Sequence, residues 1–527
     1  MKTNIRKLLV LVVACMSFWS CTDILDQTPT TSLSAGSFYT SAGNINYNLT
    51  ACYKLLQDNT NFTWQTLLFD GMADNAYDWA NYIGDRTIAQ GPISPTMGGL
   101  VSGIYSAMYV KIARCNIFLQ ILSDYQGSDL TSETNLQWQA EARTIRAWSY
   151  FTLYKFYGSV PLVTQPLTME NKLQPKADAS QILAQINEDL DFAIANLPDK
   201  AYLNTEGRFV KSSAQVLKTR VLLFDAYGDN GAAKSDVMTQ VKNTAKEIMD
   251  KGYYGITSSY RGLFVGELGM QTNNREYIFT INYLQPNNTV TFAFGWSLAK
   301  CLLYTAESPG GSVLPLKNFG EEYEYIDGTP FSTSNPLYDP EDKFKNRDPR
   351  AAYIMYDQIV TFENGFKVTN PRSVTGYSFW KFFSAADAQD FNSSTKDGSD
   401  WIAMRYAEVL LNYAEAANEV DGPTADVYSA INQIRNRENV KMPPLTAGLS
   451  KDQMRDAIRH ERRIELAFEG FRYDDLKRWK IAEQKLNMTQ EEGVVSRFFA
   501  KKNYHFPLPQ GEIDLNQGTL VQNPDYL

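Results

Sequence analysis

Between Leu136 and Tyr157 the positions Ile145, Trp148, Phe151 and Tyr154 recur at three-residue spacing, and Tyr150, Phe156 and Tyr157 widen the stripe. That period predicts a helix, and one so rich in rings must be buried over most of its circumference. Gly158 supplies its C-terminal glycine and Pro161 prevents continuation. Helical periodicity starts earlier, from about Asn44, and returns in two pairs. Ser212–Tyr227 is followed, after Gly228-Asp-Asn-Gly231, by Ser235–Gly252. Ile402–Val420 is followed, after Asp421-Gly422-Pro423, by Thr424–Arg437. In the later pair Ile402, Tyr406, Val409, Leu410, Tyr413, Ala414 and Ala417 trace one face. Each pair occupies roughly the 34 residues of a tetratricopeptide unit; two helices packed side by side without repeat ancestry are the alternative. From Tyr253 to Asp400 the stripes vanish, Gly, Pro, Asn and Ser crowd the chain, and short alternating stretches such as Glu276–Tyr283 predict strands. The expected architecture is mainly α: a tetratricopeptide-like helical scaffold (41–252 and 401–527) with an inserted loop-rich lobe containing short strands (253–400), an arrangement suited to binding surfaces.

The N-terminus carries a different pattern. Lys2, Arg6 and Lys7 precede an apolar run from Leu8 through Ala14, Met16, Phe18 and Trp19. This is a secretory signal, too short for the roughly 20 apolar residues of a membrane span. Ser20-Cys21 follows, and then Thr22, Asp23, Asp26, Gln27 and Thr28 turn the chain polar. Residues 1–20 read as a lipoprotein signal, Cys21 as the lipidated N-terminus, and 21–40 as a polar tether. A plain secretory signal with an incidental cysteine is the alternative. Asp23 resembles the acidic export tag of surface lipoproteins in the Bacteroidetes. The expected location is the outer membrane, lipid-anchored and facing outward.

The formal charge of −9 becomes more negative once the signal takes three cations away. An acidic body without a basic cluster argues against nucleic acid. Cys52, Cys115 and Cys301 form no disulfide framework and are expected to include buried free thiols. The two histidines, His460 and His505, leave little material for a His-rich metal centre or a Ser-His-Asp triad. His460-Glu461-Arg462-Arg463-Ile464 begins like a zinc-protease helix, but its fifth position is Ile464. Phosphate loop, nucleophile elbow and dinucleotide fingerprint are missing, and nothing singles out two of the many acids as a glycosidase pair. Arg459, Arg462 and Arg463 with Glu461, Glu465 and Glu469 are interleaved with Ile464, Leu466, Phe468, Phe471, Tyr473, Leu476 and Trp479. These ions are expected to be partly buried, hydrogen-bonded and structural.

Ile458–Lys480 (IRHERRIELAFEGFRYDDLKRWK) is similar to the C-terminal signature of the SusD/RagB family. So are Arg405–Glu419 (RYAEVLLNYAEAANE), Ile431-Asn-Gln-Ile-Arg435, the aromatic helix with its exit in Ala140–Pro166, and the ending Phe506-Pro-Leu-Pro-Gln510 through Asn523-Pro-Asp-Tyr526. The blocks run in family order over nearly the whole mature chain. The resemblance implies a helical body of four tetratricopeptide-like units carrying a variable lobe. It also implies a non-catalytic outer-membrane glycan-binding lipoprotein that caps a SusC-like TonB-dependent transporter and hands it oligosaccharides. No cofactor is expected, and a calcium ion has no spaced ligand motif behind it.

A pyranose presents apolar C–H faces and a rim of hydroxyls, so its binder needs exposed rings plus amides, carboxylates or arginines. In Asp74–Arg86, Trp79 and Tyr82 are interleaved with Asp74, Asn75, Asp78, Asn81, Asp85 and Arg86. In Tyr283–Trp296, Phe292, Phe294 and Trp296 alternate and share one face, with Trp296 the ligand-facing member. The candidate contacts are Trp79, Tyr82, Asp78, Asn81, Arg86, Tyr283, Trp296 and Tyr304. Trp138, Trp148, Trp401 and Trp479 lie on helical stripes as packing residues. Two other functions stay open: a lipid-anchored glycoside hydrolase, which would release new reducing ends, and a tetratricopeptide-type scaffold holding peptide partners.

Overall fold

A computed structural model of the chain describes residues 38–57, 64–79, 81, 83–265, 274–283, 313–357, 360–361, 367–368, 373–382, 400–491 and 495–527. The signal, Cys21, nearly all of the tether, Cys301, Tyr82, Trp296 and Tyr304 lie outside these.

The described chain is mainly helical. The helices are α1 (Ala42–Lys54), α2 (Phe69–Met72), α3 (Asp85–Gln90), α4 (Leu100–Asp124), α5 (Ser132–Tyr157), α6 (Ala179–Asn196), α7 (Lys211–Asp225), α8 (Ser235–Asp250), α9 (Gly262–Val265), α10 (Lys317–Glu321), α11 (Arg350–Ile354), α12 (Tyr406–Asp421), α13 (Ala425–Arg435), α14 (Lys451–Glu465), α15 (Arg472–Arg478), α16 (Ala482–Met488) and α17 (Gln510–Leu515). The strands are β1 (Ala76–Asp78), β2 (Tyr277–Ile281), β3 (Val313–Pro315), β4 (Met355–Tyr356), β5 (Val360–Thr361), β6 (Lys367–Val368), β7 (Ser378–Phe379), β8 (Trp401–Arg405), β9 (Gln490–Glu491) and β10 (Val495–Ser496). They form two-stranded antiparallel pairs: β1 with β3, β2 with β8, β4 with β7, β5 with β6 and β9 with β10. No described helix is long and apolar enough to cross a membrane.

The long helices pack in succession. α1 lies on α4, α4 on α5, α5 on α6, α6 on α7, α7 on α8; α8 then packs on α12, which carries α13 and α14. The chain between α8 and α12 is therefore inserted between two neighbouring helices. Two of the long helices start on side-chain caps. Thr131 accepts from the Thr134 amide at 3.1 Å to open α5, and Ser450 and Gln453 close a reciprocal box on α14. α5 is buried continuously from Ser149 to Leu153, and its rings meet Phe279, Phe224, Phe69 and Phe506 edge-on or tilted. Cys52 and Cys115 are buried free thiols.

Two expectations change. The helix expected from Ile402 begins at Tyr406, because Trp401–Arg405 is strand β8, paired with β2 from Tyr277↔Arg405 to Ile281↔Trp401. Trp401 is a packing residue, but on a strand. β2 was expected to alternate; all five of its residues are buried. Helix α7 covers it, with Ser213 donating to the Ile278 carbonyl, while Phe279 stacks on Phe209 at 4.1 Å. Both of its faces are interior.

The mixed-charge helix is the ionic centre of the fold. Glu465 accepts from Arg405 at 2.7 Å, Arg437 at 2.8 Å and Arg350 at 2.9 Å. Glu276 takes Arg405 and Arg437 from the other side, and Glu469 takes Arg405 and Lys381. Burial pushes the Glu465 carboxyl up, but the three guanidinium groups outweigh it and hold it down at about 2. Burial draws the Lys381 ammonium down to about 8 against the pull of Glu469. Glu276, Arg350 and Lys381 belong to the lobe, so this network rivets lobe to body.

Candidate ligand-binding site

Trp79 follows β1 directly and is 41% exposed. Its frame starts from Asp74 and Asn75, which α14 and α15 hold in place. Arg472 forks onto the Asp74 carboxylate at 2.7 and 2.8 Å. Arg463 donates to the Asn75 side-chain oxygen at 2.8 Å and to the Asp74 carbonyl at 3.0 Å. Burial raises the Asp74 carboxyl, but Arg463 and Arg472 overcome this and keep it well below the ordinary carboxylate range. Asn75 passes the restraint on to Asp70 at 2.7 Å. β1 is then fixed along β3 in the register Tyr77↔Leu314.

Beyond β1 the loop turns tightly. Asn81 takes a left-handed φ of 53° and donates its amide N–H to Asp78 Oδ2 at 2.9 Å. Its side chain clamps Thr87 on α3 by two bonds, of 2.8 and 3.2 Å. Arg86 donates to the Trp79 carbonyl at 2.7 Å and to the Tyr77 hydroxyl at 3.2 Å, with its guanidinium 5.7 Å from the Tyr77 ring centroid. Leu100, the first residue of α4, bonds the Ile83 carbonyl at 2.8 Å. Gly99 is required there: a Cβ would lie 2.3 Å from that same oxygen, at φ +60°. The ring of Trp79 thus stands in solvent on a backbone held from several sides.

Beneath the loop Asp78 and Asp85 are fully buried. Neither Asp85 oxygen meets a hydrogen-bond donor among the described residues. Burial, reinforced by the Asp78 carboxylate, pushes the Asp85 carboxyl well above its ordinary range, with Arg497 opposing. Gly71 makes room, since a Cβ there would approach Asp85 Oδ2 to 2.5 Å. Burial also raises the Asp70 carboxyl, to about 7.

Of the eight candidate contacts, the structure brings together Trp79, Asp78, Asn81 and Arg86. Asp78 does not face solvent; the pleat of β1 turns it inward, where it anchors Asn81. Tyr283 is likewise buried, at 7% exposure, with its amide bonded to Asp400 and its hydroxyl to the Gln57 carbonyl. It is part of the packing beside β2. Sequence reasoning placed Arg463 in a structural ion network but missed its task of holding the Trp79 frame from 388 residues away. It also missed Phe498, whose exposed ring lies near α3.

The larger concave surfaces lie elsewhere. A cavity of about 490 Å³ between α4 and the 161–174 segment is lined by Val110, Ile117 and Leu167, with Lys172 and Glu512 among its polar residues. Tyr105 and Tyr109 line it as well, Tyr105 being largely covered by the core. No group of three or more His, Cys, Asp or Glu that could hold a metal occurs among the described residues.

The architecture is a mainly helical scaffold with a buried ion network and a part-exposed ring, Trp79, on a braced loop. The chain belongs to the SusD/RagB family: the family described as "SusD family" matches residues 275–526, and "Starch-binding associating with outer membrane" matches residues 16–223. It is similar to SusD-like protein P2 of Formosa agariphila, 25% identical over 540 residues covering 98% of each chain. Among solved structures it is similar to a SusD-like carbohydrate binding protein from Bacteroides fragilis (28% identity, TM-score 0.77, covering 92% of this chain and 99% of that one). A laminarin binding SusD-like protein shares the fold at 23% identity and TM-score 0.64, covering 93% of this chain and all of the other.

Proposed function

We propose that this protein is a non-catalytic glycan-binding lipoprotein of the outer membrane that delivers oligosaccharides to a SusC-like TonB-dependent transporter. The observation that carries the binding step is the exposed ring of Trp79 on a pinned backbone. A flat apolar face beside Arg86 and the Asn81 amide is the pairing a pyranose uses. A platform ordered before the ligand arrives loses little entropy on binding. The printed names of the family and of two structural neighbours, which refer to starch, carbohydrate and laminarin, support the ligand class. The signal ending at Cys21 and the outer-membrane wording of the family description support the location. The non-catalytic reading draws on the acids nearest Trp79: Asp74 is neutralised by arginines, and Asp78 and Asp85 are sealed beneath the loop. Among the described residues that leaves no exposed carboxyl pair of the kind glycoside hydrolysis needs at this loop.

The test is a glycan array of starches, β-glucans, xylans, mannans, pectins and mucin O-glycans probed with the purified protein, followed by a reducing-end assay on every glycan bound. Retention without new reducing ends is expected. Co-purification of a TonB-dependent transporter from solubilised membranes checks delivery. Turnover of a bound glycan, or no glycan bound alongside a peptide partner, would replace this reading with one of its two rivals.

A further inference from the structure

Among the described residues three large aromatic side chains are exposed: Tyr47, Trp79 and Phe498. Tyr47 stands on α1. The other two hang from one frame, although 418 positions separate them in the chain. Residues 496–499 alternate exposed, buried, exposed, buried, the two-residue period of an extended strand. Arg497 and Phe499 point inward and Phe498 points out, 45% exposed.

The segment is fixed at three consecutive residues. The Phe498 amide donates to the Ala89 carbonyl on α3 at 2.9 Å. Arg497 donates to the Gly71 carbonyl at 2.6 Å and also to the carbonyl of Ala76, the first residue of β1. Phe499 exchanges two bonds with the Asn487 side chain, at 2.9 and 2.8 Å. Trp79 is held to the same helix through Arg86. Arg86 and Ala89 are three residues, about 4.5 Å, apart along α3. A ring left in water on a backbone this constrained is a preorganised apolar face rather than a fraying end.

Building on the glycan reading, we propose that Phe498 is a second sugar-facing ring, making the site an extended one that takes a chain of several sugar units rather than a single residue. Trp79 and Phe498 stack on different units of one oligosaccharide, and affinity rises once the glycan is long enough to touch both.

The experiment uses the full chain in detergent and the array polysaccharide that retains it most strongly, with laminarin and soluble starch as the first probes. Size-fractionated fragments of that same polysaccharide give the length series. F498A is expected to weaken retention of the polymer and the long fragments roughly three- to tenfold, the range of one aromatic contact. It should leave the shortest bound fragments unaffected and the melting temperature within about two degrees, the behaviour of a surface position. F498W should restore long-chain binding, which a loss of fold would not allow. W79A should weaken short and long fragments alike. F498A binding like wild type at every length, with W79A impaired, overturns the Phe498 proposal and leaves the glycan reading standing. Unchanged glycan retention by F498A with loss of a co-purifying transporter makes the ring a protein contact and overturns it too. Failure of the wild-type chain to retain any glycan on the array removes the reading and this proposal together.

Discussion

Around Glu465 three arginines converge on one buried carboxylate, and each charge has a partner of the opposite sign within 3.0 Å. Around Trp79 the buried acids are not matched in this way: Asp74 has its arginines, Asp70 has the Asn75 amide and the backbone N–H groups of Phe468 and Gly470, and Asp85 lies against Asp78. Acids thus sit in the core of both regions and titrate in opposite directions. Arginines hold the Glu465 carboxyl down, whereas burial pushes Asp70 and Asp85 up. The dense motif is internal to the fold, whereas the part-exposed ring is uncharged and held above the sparser cluster.

Breaking the hub has the largest expected effect. E465A leaves Arg350, Arg405 and Arg437 without a shared acceptor and should cost about 3–5 kcal/mol, read as a lowered urea midpoint. E465Q keeps the shape and loses the charge, and should recover little of that. An unchanged midpoint would mean that Glu276, Glu461 and Glu469 suffice.

The opposed titrations separate the regions by pH. Glu465 is held at about 2, below its ordinary 4.5. Its contribution is therefore present above about 4.5 and lost as the pH falls toward 2. Asp70 is raised from 3.8 to about 7. Its contribution is complete below about 4 and lost as the pH rises through 7. The D70N variant, neutral at every pH, should remove that loss, which is on the order of a few kcal/mol, while keeping the acid-side fall. Urea midpoints from pH 3 to 9 measure both limbs. A wild-type curve flat between pH 4 and 7 would contradict the Asp70 assignment.

Local periodicity made α5, both helix pairs and the inserted lobe legible, because each depends on neighbours three or four positions away. The structural role of the Arg459–Glu469 charges was legible from the apolar residues among them. Strand β8 was not, since its partner β2 lies 120 or more residues earlier and Trp401–Arg405 continues the apolar stripe of α12. Asp78 was misplaced for a related reason: a three-residue strand carries too little pattern to say which way it faces. Trp79 could be picked out by its polar company. The clamps that make it a platform come from Arg463 and Arg472, almost 400 positions away, and only a folded chain brings them in.

The link between the two regions is Asp74, bonded at once to signature helices and ring loop, so D74A and W79A together sharpen the contrast. D74A takes the carboxylate from buried Arg472 and leaves Arg463 with Glu322 as its remaining acid. It should lower stability by about 3 kcal/mol and weaken glycan retention as well, because the loop loses its footing. W79A removes a ring that is 41% exposed. Its urea midpoint should match wild type within about 0.5 kcal/mol, while retention on the cognate polysaccharide falls about tenfold, near 1.4 kcal/mol. Affinity gels and urea curves on the same preparations give both numbers. A W79A protein that loses stability in step with binding would mean that the ring is part of the core. D74A binding as tightly as wild type would mean that the platform does not depend on the arginines below it. On the glycan-binding proposal the smaller energetic change is the one with the functional consequence: the hub would set whether the chain is folded, and Trp79 whether the folded chain holds sugar.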